Sequence, residues 1–415
     1  MNHEVVIIGG GAVGLCAALY AARAGARVLV LERERIGAGA SWGNAGLVVP
    51  SFFTPLCDAE VIGEALAQLR DPQGFFALKP RLDPRLGLWL VSFLRHSLSR
   101  RHFQRACRVL AELGRRSLGL HLELSREPGG GYWLEQKGLL YLYADPDRLR
   151  KARQDLEVAR SGGVEARPVE SGELAELEPA VTSGLSGAIL YQPDAMLRPE
   201  EFLRWLARRV RELGGKVLEG AGVYGFKVRA GAVRGVLTTR GEIPAGQVVL
   251  ACGAWLGEVS RWLGRRRLPV EGGKGISLTF PRPPQRLTRP LLLDCHSAVT
   301  PFRDGLRITG LLELGGGDLS IDPRRVAGIH QAVSRYLPWI KDLKPEMVWA
   351  GLRPCCPDGL PIIGRLAGLS NLLVAGGHDQ KGISLAPVTG QLVARLLQGG
   401  SLGGELDEAL SPNRF

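Results

Sequence analysis

The sequence predicts an α/β unit with a parallel sheet, interrupted by an α+β unit built on antiparallel sheet. Three observations predict it. The apolar run Val5-Val6-Ile7-Ile8 passes through Gly9-Gly10-Gly11 into an Ala/Leu-rich stretch ending near Ala24, and a second run, Val28-Leu29-Val30-Leu31, follows. That order is strand, tight turn, helix, strand. Residues 270–320 alternate in the manner of an antiparallel sheet. Far from both, Asn371-Leu372-Leu373-Val374-Ala375 reads as a buried strand that turns through Gly376-Gly377-His378 into a helix from about Ile383 to Leu397.

The remaining elements follow in order. Gly25 caps the first helix. Residues 54–127 are helical in pattern and strongly basic. Gly138 to Tyr143 reads as strand, and a helix lies near 147–160. Another helix opens at Arg198-Pro199-Glu200-Glu201, with Pro199 suited to its first turn, and runs to Gly214-Gly215. Strand-like stretches lie near 216–228, 233–239 and 247–251.

The bulk properties exclude several classes. The chain has 415 residues, 45% of them hydrophobic, which is enough for two packed cores. No run approaches the ~18 apolar residues of a membrane span. Met1-Asn2-His3-Glu4 carries no basic leader, so a cytoplasmic location is expected. The seven cysteines are odd in number and lack CxxC spacing, which predicts free thiols with no metal site and no disulfide framework. The net charge of +12 is spread along the chain and reads as a surface property, with no nucleic acid partner.

Gly9-x-Gly11-x-x-Gly14 sits between the first strand and helix, with Glu32 ending the second strand. Gly9 permits the tight turn, Gly11 lets backbone approach a pyrophosphate, and Gly14 lets the helix pack on the strand. The helix N-terminus at Ala12 and Val13 offers free N–H groups to a phosphate. Glu32 suits the hydroxyls of an adenosine ribose. The arrangement predicts dinucleotide binding but does not choose between FAD and a nicotinamide dinucleotide.

The next segment discriminates. Glu32-Arg33 leads into a small-residue loop that ends Ser41-Trp42-Gly43-Asn44-Ala45-Gly46. This run resembles the D-amino acid oxidase-like superfamily of flavoproteins, and most nearly the bacterial D-amino acid dehydrogenases. Four further segments resemble the family in the same order. They are Val248 to Trp255, Gly273 to Thr279, Gly351 to Gly364, and Gly376 to Gly382. Two departures fall near the expected substrate or flavin: Ile276 replaces a family aromatic, and Asp379-Gln380-Lys381 replaces a Gly-Thr-Leu type tripeptide.

The resemblance implies a Rossmann-like FAD-binding domain with an inserted antiparallel-sheet substrate domain. The expected boundaries are 1–50, 196–264 and 350–415 for the first, and 51–195 and 265–349 for the second. It implies non-covalent FAD held by Gly9, Gly11, Ala12, Val13, Gly14, Glu32, Arg33, Ser41, Asn44, Ala45 and Gly46. Val217, Cys252, Gly253, Trp255, Gly377, Lys381, Gly382 and Ile383 complete that set. Arg353 matches the arginine that binds the substrate carboxylate, and Lys274 and His378 are the other candidate catalytic residues. His378 also reads as a packing histidine, Lys381 as a surface lysine, and His296, Thr300 and Arg303 as structural residues.

The implied reaction is hydride transfer from Cα of a small amino acid to flavin N5, giving an imino or 2-oxo acid. The D-series is favoured, and a proline-like substrate stays open. The electron acceptor would be a quinone or dye. A glycine or sarcosine-type oxidase releasing peroxide and a nicotinamide-dependent dehydrogenase stay open as alternatives. So do a homo-oligomer and an electron-transfer complex. The apolar stretch Leu86 to Leu98, joined to the basic tail Arg100-Arg101, reads either as a core-facing helix or as a peripheral membrane contact.

Overall fold

Alternation along the strand His3–Ile8 sends its side chains into two different cores. Val5 and Ile7 join one that also holds Leu15, Leu113, Phe202 and Leu392, from four helices on one side of the sheet. Val6 and Ile8 join the other, with Val233, Leu256 and Leu263. The computed structural model describes all residues except 1–2, 69–70, 72–73, 80, 82, 129, 162–163, 265–267 and 316.

The helix Ala12–Arg23 carries the chain from the first strand to Val28–Leu31, which pairs with it in parallel. Lys216–Leu218 extends the sheet beyond Val28–Leu31. On the other side of the first strand lies Gly241–Leu250, followed by Leu372–Gly376, both parallel. The first part of Gly241–Leu250 does separate work. It forms an antiparallel meander with Ala232–Thr238 and Val223–Arg229. The stretch expected as one strand near 216–228 is therefore two strands, one in the parallel sheet and one in the meander.

The second sheet has nine strands. Six of them run Met347–Cys355, Glu271–Pro281, Gly305–Leu314, Ser297–Phe302, Leu291–Leu293 and Leu139–Tyr143 across the sheet. All neighbours in that series are antiparallel except the last pair, which is parallel. Its core holds Ile276, Leu278, Phe280, Val299, Ile308 and Tyr336. The boundary expected at residue 350 falls inside the strand Met347–Cys355, so Arg353 belongs to this sheet while the chain beyond it returns to the parallel one.

Among the described residues, the basic region 54–127 contains the helices Ala59–Gln68, Pro84–Ser97 and Arg100–Ser125 and the short strand Phe76–Leu78. The core-facing reading of Pro84–Ser97 accounts only for Leu86 and Trp89, which are buried. Leu88, Val91 and Leu98 are 72%, 67% and 69% exposed, beside exposed Arg95, Arg100 and Arg101. The helix thus buries one face and turns a second apolar face to solvent. Among the described residues no helix is long and apolar enough to cross a membrane. All seven cysteines are unpaired.

Candidate active site

Two cavities lie between the sheets and meet at Ala40, Asn44 and Arg353, which line both. One is a groove of about 350 Å³ over the carboxyl ends of the parallel strands. Ligands of open α/β sheets bind in that position. The other, about 300 Å³, lies on the face of the nine-stranded sheet.

The glycine motif builds the floor of the groove. Gly9 has φ +116°, and a Cβ on Gly14 would stand 2.0 Å from the Gly9 carbonyl oxygen. Only glycines let the helix start this close to the strand. Gly11 is the N-cap and brings no side chain of its own to the helix end. Ala12 N–H donates to Ser41 Oγ at 3.1 Å, which ties the helix start to the small-residue loop. Gly11, Ala12 and Val13 line the groove. The helix end offers it N–H donors and the positive end of its dipole, a cradle for phosphate.

Glu32 lies beside this cradle. Its carboxylate accepts from Gly10 N–H at 2.7 Å and Glu34 N–H at 3.0 Å. It therefore stays fixed while its open side faces the groove, as a ribose acceptor requires. Arg33 stacks 4.5 Å above the Trp255 ring, and both line the groove with Cys252 and Gly253. Gly382 and Ile383, the start of the helix Gly382–Leu397, close the opposite end. Its N-cap has no side-chain bond either, so a second positive helix end faces the same groove. The groove thus fits an extended anionic dinucleotide.

Other expected cofactor residues sit behind this surface. Gly14 packs the helix against the Gly9 turn, and Gly46, at φ +75°, shapes a turn in which its N–H donates to Asn44 Oδ1 at 2.9 Å. Ala45 faces the second cavity. Gly377, at φ +68°, forms the turn after Leu372–Gly376. Val217 pairs with Val30 inside the parallel sheet, and Ala221 and Val223 reach the groove instead.

The candidate catalytic residues separate. Arg353 is enclosed by protein but opens onto both cavities. Its Nη1 donates to the Leu311 carbonyl at 2.7 Å, and it pairs with no carboxylate among the described residues. Burial lowers its pKa below the usual guanidinium range. A Cβ on Gly275 would meet the guanidinium at 2.3 Å, so glycine there makes room for it. Lys274, expected beside the substrate, turns the other way. Its Nζ lies 2.7 Å from Glu313 and 2.9 Å from the Ser320 carbonyl, and it lines neither cavity. Strand alternation explains this, because Gly275 and Ser277 already take the cavity face.

His378 both packs and faces the groove. Its Nε2 meets Thr389 Oγ1 at 2.9 Å, and burial lowers its pKa to about 4, so the ring is neutral near pH 7. Lys381 is not on the surface. Its buried Nζ has no hydrogen-bond partner among the described residues and lies 4.8 Å from the centre of the Phe52 ring, and the residue lines the second cavity. Burial lowers its pKa. His296 lines that cavity too, 2.9 Å from Glu64, whereas Arg303 lies over Trp133.

Sequence reasoning missed one buried anchor. Arg307, with no exposed surface, pairs with Glu200 and donates to the carbonyls of Trp42 and Asn44 at 3.4 and 2.9 Å. It ties the loop shared by both cavities to the nine-stranded sheet. The only local signals were an arginine within an apolar strand and a glutamate in a helix's first turn.

The parallel-sheet groove, its glycine-rich helix end and the adjoining cavity define a dinucleotide-dependent oxidoreductase. The chain belongs to the DAO family, FAD dependent oxidoreductase, whose model matches residues 4–396. The cofactor is therefore FAD, and the nicotinamide alternative falls. The chain is 28% identical over 403 residues to a D-amino acid dehydrogenase of Helicobacter pylori, covering 97% of this chain and 96% of that protein. Among solved structures, glycine oxidase from Geobacillus kaustophilus superposes with TM-score 0.80 at 24% identity, covering 100% of this chain and 99% of that one. L-proline dehydrogenase from P.horikoshii gives 0.77 at 24% identity, covering 100% and 98%. These two likenesses establish the fold.

Proposed function

We propose that the protein oxidises an amino acid at its α-carbon, that D-amino acids are its substrates, and that electrons leave to a quinone or dye rather than to oxygen. The observation that carries this reading is Arg353, a guanidinium that has no carboxylate partner among the described residues and stands where the two cavities meet. A guanidinium fork binds a planar carboxylate through two parallel hydrogen bonds. That grip orients Cα toward the groove. When bound, FAD supplies the acceptor for the hydride leaving Cα.

The chain's own groups do the rest. Apolar walls from Phe52, Leu56 and Leu312 exclude water from the reacting carbon. The free amino group must be uncharged so that its lone pair can form the C=N bond. The two helix ends place positive potential along the groove, which favours the reduced, more negative cofactor. Lys381 adds a cation on the cavity side. Water outside the site then hydrolyses the imine to a 2-oxo acid and ammonia, or the imine stays cyclic for a proline-like substrate. The buried thiols of Cys355 and Cys356 line neither cavity, which supports non-covalent FAD.

The likeness to D-amino acid dehydrogenases supports the D-series and the non-oxygen acceptor. The exposed apolar face of Pro84–Ser97, flanked by arginines, supports a peripheral contact with an anionic membrane, where a quinone would be reached. Turnover of D- and L-amino acids is to be followed with a quinone analogue, and in air by peroxide release. D-substrates should drive quinone reduction at least ten times faster than peroxide release. Equal or faster peroxide release would make the protein an oxidase. Anionic phosphatidylglycerol vesicles should sediment the protein at low salt, and failure to do so would remove the membrane contact.

A further inference from the structure

The cavity floor is one lateral row of the nine-stranded sheet. Trp349 pairs with Ser277, Ser277 with Thr309, Thr309 with Ala298, Ala298 with Leu292, and Leu292 with Tyr141. Residues paired across a sheet project from the same face. All six line the cavity. At ~4.8 Å per strand the row spans about 24 Å, far more than glycine or alanine would occupy.

The row is large at both ends and small between. Trp349 stands at one end, near Arg353, whose guanidinium lies over Gly275. Leu292 and Tyr141 stand at the other. Between them come Ser277, Thr309 and Ala298, the small residues that leave the floor low. The opposite wall carries the apolar side chains Phe52, Leu56 and Phe75, interrupted by Thr54, Asp58 and Lys381, whose Nζ lies over the Phe52 ring. The trough therefore begins beside the Arg353 guanidinium and runs away from it between the low Ser277–Thr309–Ala298 floor and the Phe52, Leu56 and Phe75 side chains. At the far end His296 Nε2 lies 2.9 Å from Glu64, which also pairs with Arg148.

We infer that the substrates carry a long, apolar side chain, of four or more carbons or an aromatic ring, that lies along the Ser277–Thr309–Ala298 trough with its tip toward Leu292 and Tyr141. This rests on the amino-acid reading of the site. Glycine, sarcosine and alanine would leave the trough filled with water and make poor substrates. Each added methylene buried there should raise kcat/KM about fourfold, the equivalent of ~0.8 kcal/mol.

The test uses the FAD-loaded enzyme and two readouts. The first is kcat/KM for glycine, alanine, norvaline, leucine and phenylalanine in the reactive enantiomer. Leucine should exceed alanine by at least tenfold. In Ala298→Phe, which fills the trough, that ratio should collapse toward one. The second is the flavin spectral change on titration with straight-chain carboxylates from acetate to hexanoate, where Kd should fall steadily with length. This second readout needs neither turnover nor a variant that folds. Preference for glycine or alanine, or carboxylate affinities independent of length, would overturn the inference and leave the function standing. An enzyme that no amino acid reduces would overturn both.

Discussion

Arg353→Leu should lower kcat/KM for the best amino acid by about 10²- to 10³-fold while the purified protein keeps its yellow FAD. A buried charge pair that loses one partner costs about 2–5 kcal/mol, and here the stranded partner would be the substrate carboxylate. The substitution also strands the Leu311 carbonyl, which now accepts from Arg353. That loss touches stability and leaves the groove intact. Arg353→Lys separates charge from geometry. It keeps the cation but loses the fork that fixes the carboxylate plane. It should recover part of the binding and little of the rate, because orientation of Cα is what accelerates transfer. Stopped-flow reduction under anaerobic conditions reads both. An Arg353→Leu enzyme reduced at the wild-type rate would remove the residue from the site.

Gly14→Val should abolish FAD retention and destabilise the fold. The first added carbon would stand 2.0 Å from the Gly9 carbonyl oxygen, which is backbone and cannot swing away. Overpacking of this kind costs ~1–3 kcal/mol or more, and relief requires the helix Ala12–Arg23 to move off the sheet. The phosphate cradle would move with it. Gly11→Ala is the matched comparison. Its Cβ would meet only Ser41 Oγ, at 3.2 Å, and its backbone already has a negative φ. It should fold normally and bind FAD more weakly by about tenfold, a loss of ~1.4 kcal/mol. Thermal unfolding and bound-flavin absorbance distinguish the two. A Gly14→Val protein isolated with full FAD would contradict the placement of the cofactor.

Features carried by short-range pattern were legible in the sequence. The first strand, the glycine turn, the Ala/Leu helix and the second strand occupy 29 contiguous residues from His3 to Leu31, and each declares its own conformation. Glu32 was legible because it ends a strand at a fixed distance from the turn. The antiparallel sheet was legible in the alternation of residues 270–320. What failed was long-range partnering. Glu200 and Arg307 lie 107 residues apart, and no local signal joins them. Leu291–Leu293 beside Leu139–Tyr143 is a parallel pairing within an otherwise antiparallel series, and strand pattern alone does not state direction. Lys381 was misread because lysines are rarely buried, and only the fold shows the cavity it lines. Lys274 was assigned to the wrong face although alternation with Gly275 and Ser277 was there to be used. In Pro84–Ser97, leucine spacing marks apolar faces but does not say which of them the rest of the chain covers.

The most direct measurement is an anaerobic titration of the purified, FAD-loaded protein with amino acids, followed by its visible spectrum. Flavin bands near their ordinary positions should bleach fully with a D-amino acid bearing a long apolar side chain and return on adding a quinone analogue. Flavin bands that no D- or L-amino acid bleaches would contradict the assignment of Arg353 and its cavity to an amino acid substrate.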